Sequence, residues 1–494
     1  MNSTAHRALA LSASDIDGAQ ELLVRSCEDC ACPPSGGESD RVDSEPEPDG
    51  RPLVRTAGVL ELAIDIEHVA LFSPAGNGGV VVLNTEGRAV FDHFTQQHAS
   101  ANTADLAGSD TVVRKLLAHD ILHPAGAPPR QEFTKSRELT AWLHVTNKCN
   151  LRCPYCYVHK SSESMDSATA RDSVDALVRS AAKNGFSALR LKYAGGEASL
   201  NASVLLELHE YAAEQCATAG LKLSAVLLSN GVAISRRLAQ ELKRLDIRVM
   251  ISLDGIAEAH DAQRPTLTGK PSSARVLQTI AKLCGEGVTP HLSITITSRN
   301  VDAVAEVVRF SLDRDLTFSF NFFRDNDCAA AFTDLQYEEH ALLDGLRTAF
   351  AEIERTLPRW SVLGSILDRG QLLRPRKQSC GVGDDYVVID QRGRIAQCHM
   401  ELDDAAGDIR KTDPVLAVRD PERKIKNLLV DEKPGCRDCT WKNWCSGGCS
   451  VATFRATGRF DLRSPNCGIY RAIYPEAVRL EGLRLLKYAG PDPG

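Results

Sequence analysis

The residues best suited to chemistry in this chain are its cysteines. Cys149-Asn-Leu-Arg-Cys153-Pro-Tyr-Cys156 puts three thiols in one short loop. Three thiolates hold three corners of a cubane iron–sulfur cluster, whereas a purely electron-transferring cluster takes four. One iron is then left to chelate a small molecule through an amine and a carboxylate. Tyr155, between two of the ligands, offers a ring that can pack over a flat heterocycle. The spacing leaves two other chemistries open, a zinc site lacking its fourth ligand and a redox thiol set. A second group follows downstream: Cys380-x17-Cys398, Cys436-x2-Cys439-x5-Cys445-x3-Cys449 and Cys467, with Gly393 five residues before Cys398. Zinc ribbons also use Cys-x2-Cys pairs, but the x5 and x3 gaps fit zinc knuckles poorly, and seven thiols do not divide into tetrahedral sites. Cys27, Cys30 and Cys32 crowd the N-terminal tail and stay unassigned, while Cys216, Cys284 and Cys328 read as small buried hydrophobes.

Such a loop needs a scaffold, and from residue 139 apolar stretches with strand and helix periods alternate. Strands are expected over 139–145, 188–193, 223–228, 248–253, 291–297 and 317–323, with helices at 166–184, 201–219, 235–245, 272–286 and 301–314. Successive β–α units imply parallel strands with right-handed crossovers. An open or partly closed α/β barrel, a partial (βα)6 unit over 139–360, follows, with its site at the C-terminal strand ends. Cys149 follows the first strand, Gly195-Gly196-Glu197 the second, Ser229-Asn230-Gly231 the third and Ser252-Leu-Asp254-Gly255 the fourth. After residue 360 the alternation stops. The segment 361–494 is rich in Gly, Cys and charge, so metal staples are the expected source of its stability.

Upstream, residues 1–50 end in an acidic, proline-bearing stretch and read as a disordered tail or linker. Residues 53–125 form a small α+β unit, with strands near 59–66 and 79–83 and helices over 85–98 and 110–119. A chain of 494 residues exceeds one ordinary core. A net charge of -7 supplies no basic field for nucleic acid or an anionic membrane, and no apolar run reaches membrane-spanning length. No export signal stands at the N-terminus, so the expected location is the reducing cytoplasm, where cysteines bind metal or react rather than pair.

The loop Cys149-x3-Cys153-x2-Cys156 closely resembles the signature of the radical SAM superfamily, and Gly195-Gly196-Glu197 resembles that family's Gly-Gly-Glu motif. The resemblance implies a [4Fe–4S] cluster that reductively cleaves S-adenosylmethionine, giving a 5′-deoxyadenosyl radical that abstracts hydrogen from carbon. It also implies that Gly195, Gly196 and Glu197 hold the methionine amine. Tyr155 would lie by the adenine, and Ser252 and Arg264 would contact ribose and carboxylate. The residue-level alternatives are a tight turn for the glycines, a surface ion pair for Arg264 and a turn role for Asp254.

The downstream seven cysteines resemble the SPASM extension of radical SAM maturases, which carries two auxiliary [4Fe–4S] clusters. Carried over by position, Cys380, Cys398 and Cys449 hold one, with a fourth site open or filled from Asp384, Asp385 or Tyr386. Cys436, Cys439, Cys445 and Cys467 hold the other, and Trp441 and Trp444 cover its loop. Three clusters follow in all. SPASM proteins mainly modify peptides. Sulfatase-maturing members place Asp after the equivalent of Cys398, where this chain has His399. The order of elements over 53–125 looks like the winged-helix domain that recognises leader peptides. The implied function is radical maturation of a ribosomal precursor peptide by a thioether or C–C cross-link, with a flavodoxin- or ferredoxin-type electron donor. Formylglycine formation and a non-catalytic zinc-stapled scaffold are the competing readings.

Overall fold

A nine-stranded sheet organises the protein in a computed structural model that describes residues 8–16, 51–94, 109–364 and 368–489. The expected tail falls almost wholly outside the described residues, as do Cys27, Cys30 and Cys32 and the last turn of the helix read over 85–98. Within that tail, Ala10–Leu11 (β1) is instead a strand, antiparallel to Val81–Leu83 (β5). Leu53–Arg55 (β2) pairs with Leu122–Pro124 (β6). Leu60–Ala63 (β3) and Val69–Phe72 (β4) complete a four-stranded sheet in the order β1-β5-β4-β3.

This small sheet is buried on both faces. Val69, Leu71, Val81 and Leu83 pack with helices Thr85–His93 and Ser109–Ala118, whereas Ala70, Phe72, Val80 and Val82 belong to the main core. The continuous apolar run of β4 is therefore a strand read from both sides, which alternation does not detect. Asn84 caps the first helix through Gly87 N–H at 2.8 Å and accepts Leu9 N–H at 2.9 Å, tying β1 to the unit.

The six expected parallel strands are present as Glu138–Thr146 (β7), Ala188–Gly195 (β8), Lys222–Ser229 (β9), Ile247–Ser252 (β10), His291–Ile296 (β11) and Phe318–Phe322 (β12). They pair in sequential order, as a partial (βα)6 barrel requires. Asp166 and Ser235 cap helices Ser167–Lys183 and Arg236–Arg244 by accepting N–H groups of the first turn. The boundary at 360 is not a boundary of the sheet. Tyr386–Ile389 (β13) joins the β7 edge in parallel, followed antiparallel by Arg394–Ala396 (β14) and Ala405–Asp408 (β15).

The C-terminal segment also contains a 23-residue helix, Cys467–Ala489, where no regular periodicity was expected. Its buried residues form one broad arc that includes the charged Glu481 and Arg484, because it packs against Glu339–Thr356 and against the small sheet. Gly482 lies so close to that sheet that a Cβ would stand 2.7 Å from Ile64 Cδ1. Trp441 and Trp444, expected to cover a cysteine loop, face Phe72 at 5.8 and 5.0 Å, and Trp444 donates to Pro74 O at 3.0 Å.

Two buried groups give tests. Arg484 holds Glu481 at 2.7 and 3.0 Å and donates to Arg359 O at 2.7 Å, with both side chains buried. Arg484→Met leaves a buried carboxylate unpaired and lowers unfolding stability by about 3–5 kcal/mol, and adding Glu481→Leu recovers most of the loss. Equal denaturation midpoints for parent and single variant would refute this.

Asp385, entering β13, is the second. Burial first, then Asp384, pushes its carboxyl up to about 7 from 3.8. Between about pH 4 and 7 the unfolded chain has released this proton and the folded chain keeps it, so stability falls as pH rises through that window. Asp385→Asn removes that slope in unfolding measured across the range.

Candidate active site

The C-terminal ends of the parallel strands face an open cavity of about 1110 Å³. The loop after β7 brings Cys149, Cys153 and Cys156 to its wall, with Tyr155 between them. Gly195, Gly196 and Glu197 enter from β8, Ser252 from the end of β10, and Arg264 from the end of helix Glu258–Gln263. The cysteine loop is pinned to the segment after Arg264: Leu151 bridges Thr266, and Arg152 N–H donates to Pro265 O at 2.8 Å. Leu151 N–H points at Cys149 Sγ at 3.4 Å.

Gly195 and Gly196 do not serve an unusual turn, since neither has positive φ. They are required by close approach. A Cβ on Gly195 would stand 2.4 Å from Thr146 O, and one on Gly196 2.4 Å from Lys148 O. Gly196 N–H donates to Thr146 O at 2.7 Å and Glu197 N–H to Lys148 O at 2.8 Å. The two glycines thereby clamp the chain that leads into Cys149.

Glu197 lines the cavity, yet its buried carboxylate is largely committed to the protein. Oε1 accepts Ser199 N–H and Ser229 Oγ–H at 3.0 and 2.8 Å, and Oε2 accepts Asn230 N–H at 2.7 Å. Asn230 Nδ2 in turn donates to Asn150 Oδ1 at 2.7 Å and lies 3.8 Å from Cys149 Sγ. Asn230 thus joins the β9 end to the cysteine loop, a link that the Ser229-Asn230-Gly231 position alone did not specify.

Arg264 makes no surface ion pair. Its Nε donates to Asp254 Oδ2 at 2.7 Å, and both side chains are buried. Tyr155 OH donates to the same oxygen, and the guanidinium lies 5.4 Å from the Tyr155 ring centre. Asp254 Oδ1 accepts Thr295 N–H at 2.9 Å, while Asn300 Nδ2 donates to Asp254 O at 2.6 Å. Asp254, read as a turn residue, is the anchor that orients both Tyr155 and Arg264.

The downstream cysteines assemble in two groups. Cys380, Cys398 and Cys449 line one small cavity. Cys436, Cys439, Cys445 and Cys467 are neighbours: burial first, and then the other thiols of the group, raise the thiol pKa of Cys436, Cys445 and Cys467. Of the residues considered for a fourth ligand, Tyr386 lines the cavity, but Asp384 and Asp385 do not. Asp384 Oδ1 accepts Arg419 Nη2 at 2.7 Å instead, and Asp385 is the buried carboxyl of β13. His399 lines both cavities, stacked on Trp142 at 4.4 Å with Nδ1 2.9 Å from Tyr386 OH. Among the lone cysteines Cys216 is buried, Cys284 is exposed, and Cys328 sits half-buried 3.5 Å from His159 Nδ1.

The donor sets fit clusters chemically. Burial pushes Cys153 and Cys445 up to about 12 and raises Cys149, so these thiols ionise only if positive charge enters their sites, as iron supplies. The glycine clamp gives a test: Gly196→Ala, with backbone on both sides of the clash, loses roughly 1–3 kcal/mol of stability and iron bound at the loop. An unchanged unfolding midpoint with full iron would contradict the clamp.

Comparison with known proteins agrees with this geometry. Residues 143–310 match the family described as the Radical SAM superfamily. The uncharacterized protein MJ0907 of Methanocaldococcus jannaschii is 26% identical over 52% of this chain and 83% of its own length. The PqqA peptide cyclase of Bradyrhizobium diazoefficiens is 23% identical over 69% of this chain and 90% of its own. A cysteine-type anaerobic sulfatase-maturating enzyme of Clostridium perfringens is 23% identical over 62% and 86%. Other likenesses are shorter: the chain spans 40% of the Fe-coproporphyrin III synthase of Methanosarcina barkeri. In fold, the solved native anSMEcpe with bound AdoMet and Cp18Cys peptide superposes with a TM-score of 0.57 at 19% identity, over 71% of this chain and 99% of that one. Residues 143–310, with the cysteine loop at their start, are the part of this chain that is similar to the Radical SAM superfamily.

Proposed function

We propose that this enzyme modifies a ribosomally made precursor peptide, joining two of its residues through a thioether or a C–C bond. The observation that carries the reading is the adjacency of two cavities. One is lined by Cys149, Cys153 and Cys156 and the other by Cys380, Cys398 and Cys449, with His399 common to both walls. In this reading ten cysteines hold three [4Fe–4S] clusters. When bound, the first cluster and S-adenosylmethionine supply reductive cleavage of the sulfonium and hydrogen abstraction by the 5′-deoxyadenosyl radical.

The chain's own residues do the positioning. Gly195 and Gly196 leave room for backbone to approach the methionine amine, and Glu197 has lone-pair capacity left beside it. Ser252 faces the ribose, while Arg264, fixed by Asp254, turns its remaining N–H groups to the carboxylate. Tyr155, held by the same aspartate, lies by the adenine. A peptide segment then fills the cavity, excluding water and stray hydrogen donors. The small sheet supports leader recognition. Among the described residues its edges are β1 and β3, and a leader adds as a further strand at the β3 edge.

Peptide-modifying relatives support this substrate class, and the sulfatase-maturating relative favours a second product, formylglycine. His399, in the position where those maturases have Asp, favours the cross-link. The protein reconstituted anaerobically with iron and sulfide is expected to bind about twelve irons and release 5′-deoxyadenosine under reductant. Replacing Cys149, Cys153 and Cys156 with Ala abolishes release and leaves about eight irons. Co-expression with a short peptide encoded beside the gene yields a product lighter by two hydrogens and cross-linked on fragmentation. An aldehyde at a single Cys or Ser establishes formylglycine formation instead, and colourless, zinc-loaded protein overturns both.

A further inference from the structure

Outside the site just described, the most anomalous group in the molecule is an amine. Lys433 is fully buried at 0% exposure, and its Nζ has no hydrogen-bond partner. Its backbone anchors the cysteine turn that follows, because Lys433 O accepts Cys436 N–H at 2.8 Å and Arg437 N–H at 3.1 Å. Its side chain runs over Gly447, which lies between Cys445 of one thiol group and Cys449 of the other. A Cβ on Gly447 would stand 2.7 Å from both Cδ and Nζ of Lys433, so the loop is opened at the point where the amine arrives. The thiols whose ionised forms would act on Nζ are Cys436 and Cys445 of one group and Cys380 and Cys449 of the other.

A buried ammonium without an acceptor costs several kcal/mol, and a neutral thiol is a weak acceptor. Lysine has three donors and no acceptor of its own. A cluster held by thiolates carries net negative charge on its sulfur atoms and supplies what the amine lacks. Its potential responds to hydrogen bonds at sulfur and to nearby charge. We propose that the Lys433 ammonium is shared by the two C-terminal cluster sites, donating to sulfur of both and raising their reduction potentials. The proposal rests on the reading above that those seven cysteines hold clusters. A role in packing alone would be met equally by Met, which has similar length and no charge.

The test is a reductive titration of the anaerobically reconstituted full-length protein with dithionite, followed by EPR, in which each cluster takes one electron from the reductant. Lys433→Met is expected to keep its iron and to lower the one-electron reduction equilibrium of both auxiliary clusters at least tenfold, about 59 mV. The radical-generating cluster, outside the amine's immediate neighbours, keeps its potential. Full iron with unchanged auxiliary potentials overturns the proposal. If Lys433→Met does not load the auxiliary clusters, Lys433→Arg decides: loading restored by the second cation supports the charge, and failure of both overturns it in favour of shape. A parent protein that binds only about four irons refutes the cluster reading itself, a result distinct from either outcome for Lys433.

Discussion

The arrangement depends on one pairing, that of β13 with β7. Tyr386 stands opposite Thr140 and Val388 opposite Trp142, which extends the parallel sheet by a strand from the cysteine-rich segment. The register distributes side chains to two sides. Val387 and Ile389 enter the main core, while Tyr386 and Val388 join Trp142 and Cys398 in a second apolar cluster. A slip of one residue would exchange the two sets. The turn that returns the chain contains Gly393 at φ +84°, and β14 then delivers Cys398 and His399 directly against Trp142. The first cysteine loop leaves the other end of β7. One strand therefore sets the distance between the chemistry at the sheet's mouth and the thiols downstream.

Two buried carboxylates carry the fine positioning around that mouth. Glu197 joins the ends of β8 and β9, and Asp254 joins β10 to β11 through Thr295 while holding Arg264 and Tyr155. Each is satisfied by several donors, which makes a buried charge tolerable and fixes its neighbours' geometry. Arg264 in particular arrives with one face occupied, so its remaining donors have a defined direction. A free surface arginine would have to pay rotamer entropy to do the same.

Much of this was legible in the residues because the parallel strands alternate with amphipathic helices. All six were expected within two residues of where they lie, and three of the downstream thiols that the resemblance groups together, Cys380, Cys398 and Cys449, line one cavity. What escaped has identifiable causes. Val69–Phe72 is buried on both faces and Cys467–Ala489 buries the charged Glu481 and Arg484 among its apolar residues, so neither carries the periodicity of a half-buried element. Ala10–Leu11 is two residues long, too short for any pattern. Asp254 sits in a Ser-Leu-Asp-Gly sequence that equally describes a turn, and only the arrival of Arg264 from ten residues away reveals its role. Gly195 and Gly196 were legible as glycines but not in their reason, since close backbone approach is a tertiary fact.

The cysteine groups and Lys433 are complementary expressions of one physical condition. Burial disfavours charge on each: it pushes thiols such as Cys153 and Cys445 up to about 12 and drives the Lys433 amine down. Taken separately, every one of these groups opposes folding in its ionised form. Assembled around metal, the same groups become a closed set of opposite charges in a low dielectric, where attraction is strongest. On the proposed reading that these thiols hold clusters, folding of the segment after residue 360 and metal uptake are linked. The segment's buried thiols pack as small apolar groups while neutral and ionise only with positive charge beside them.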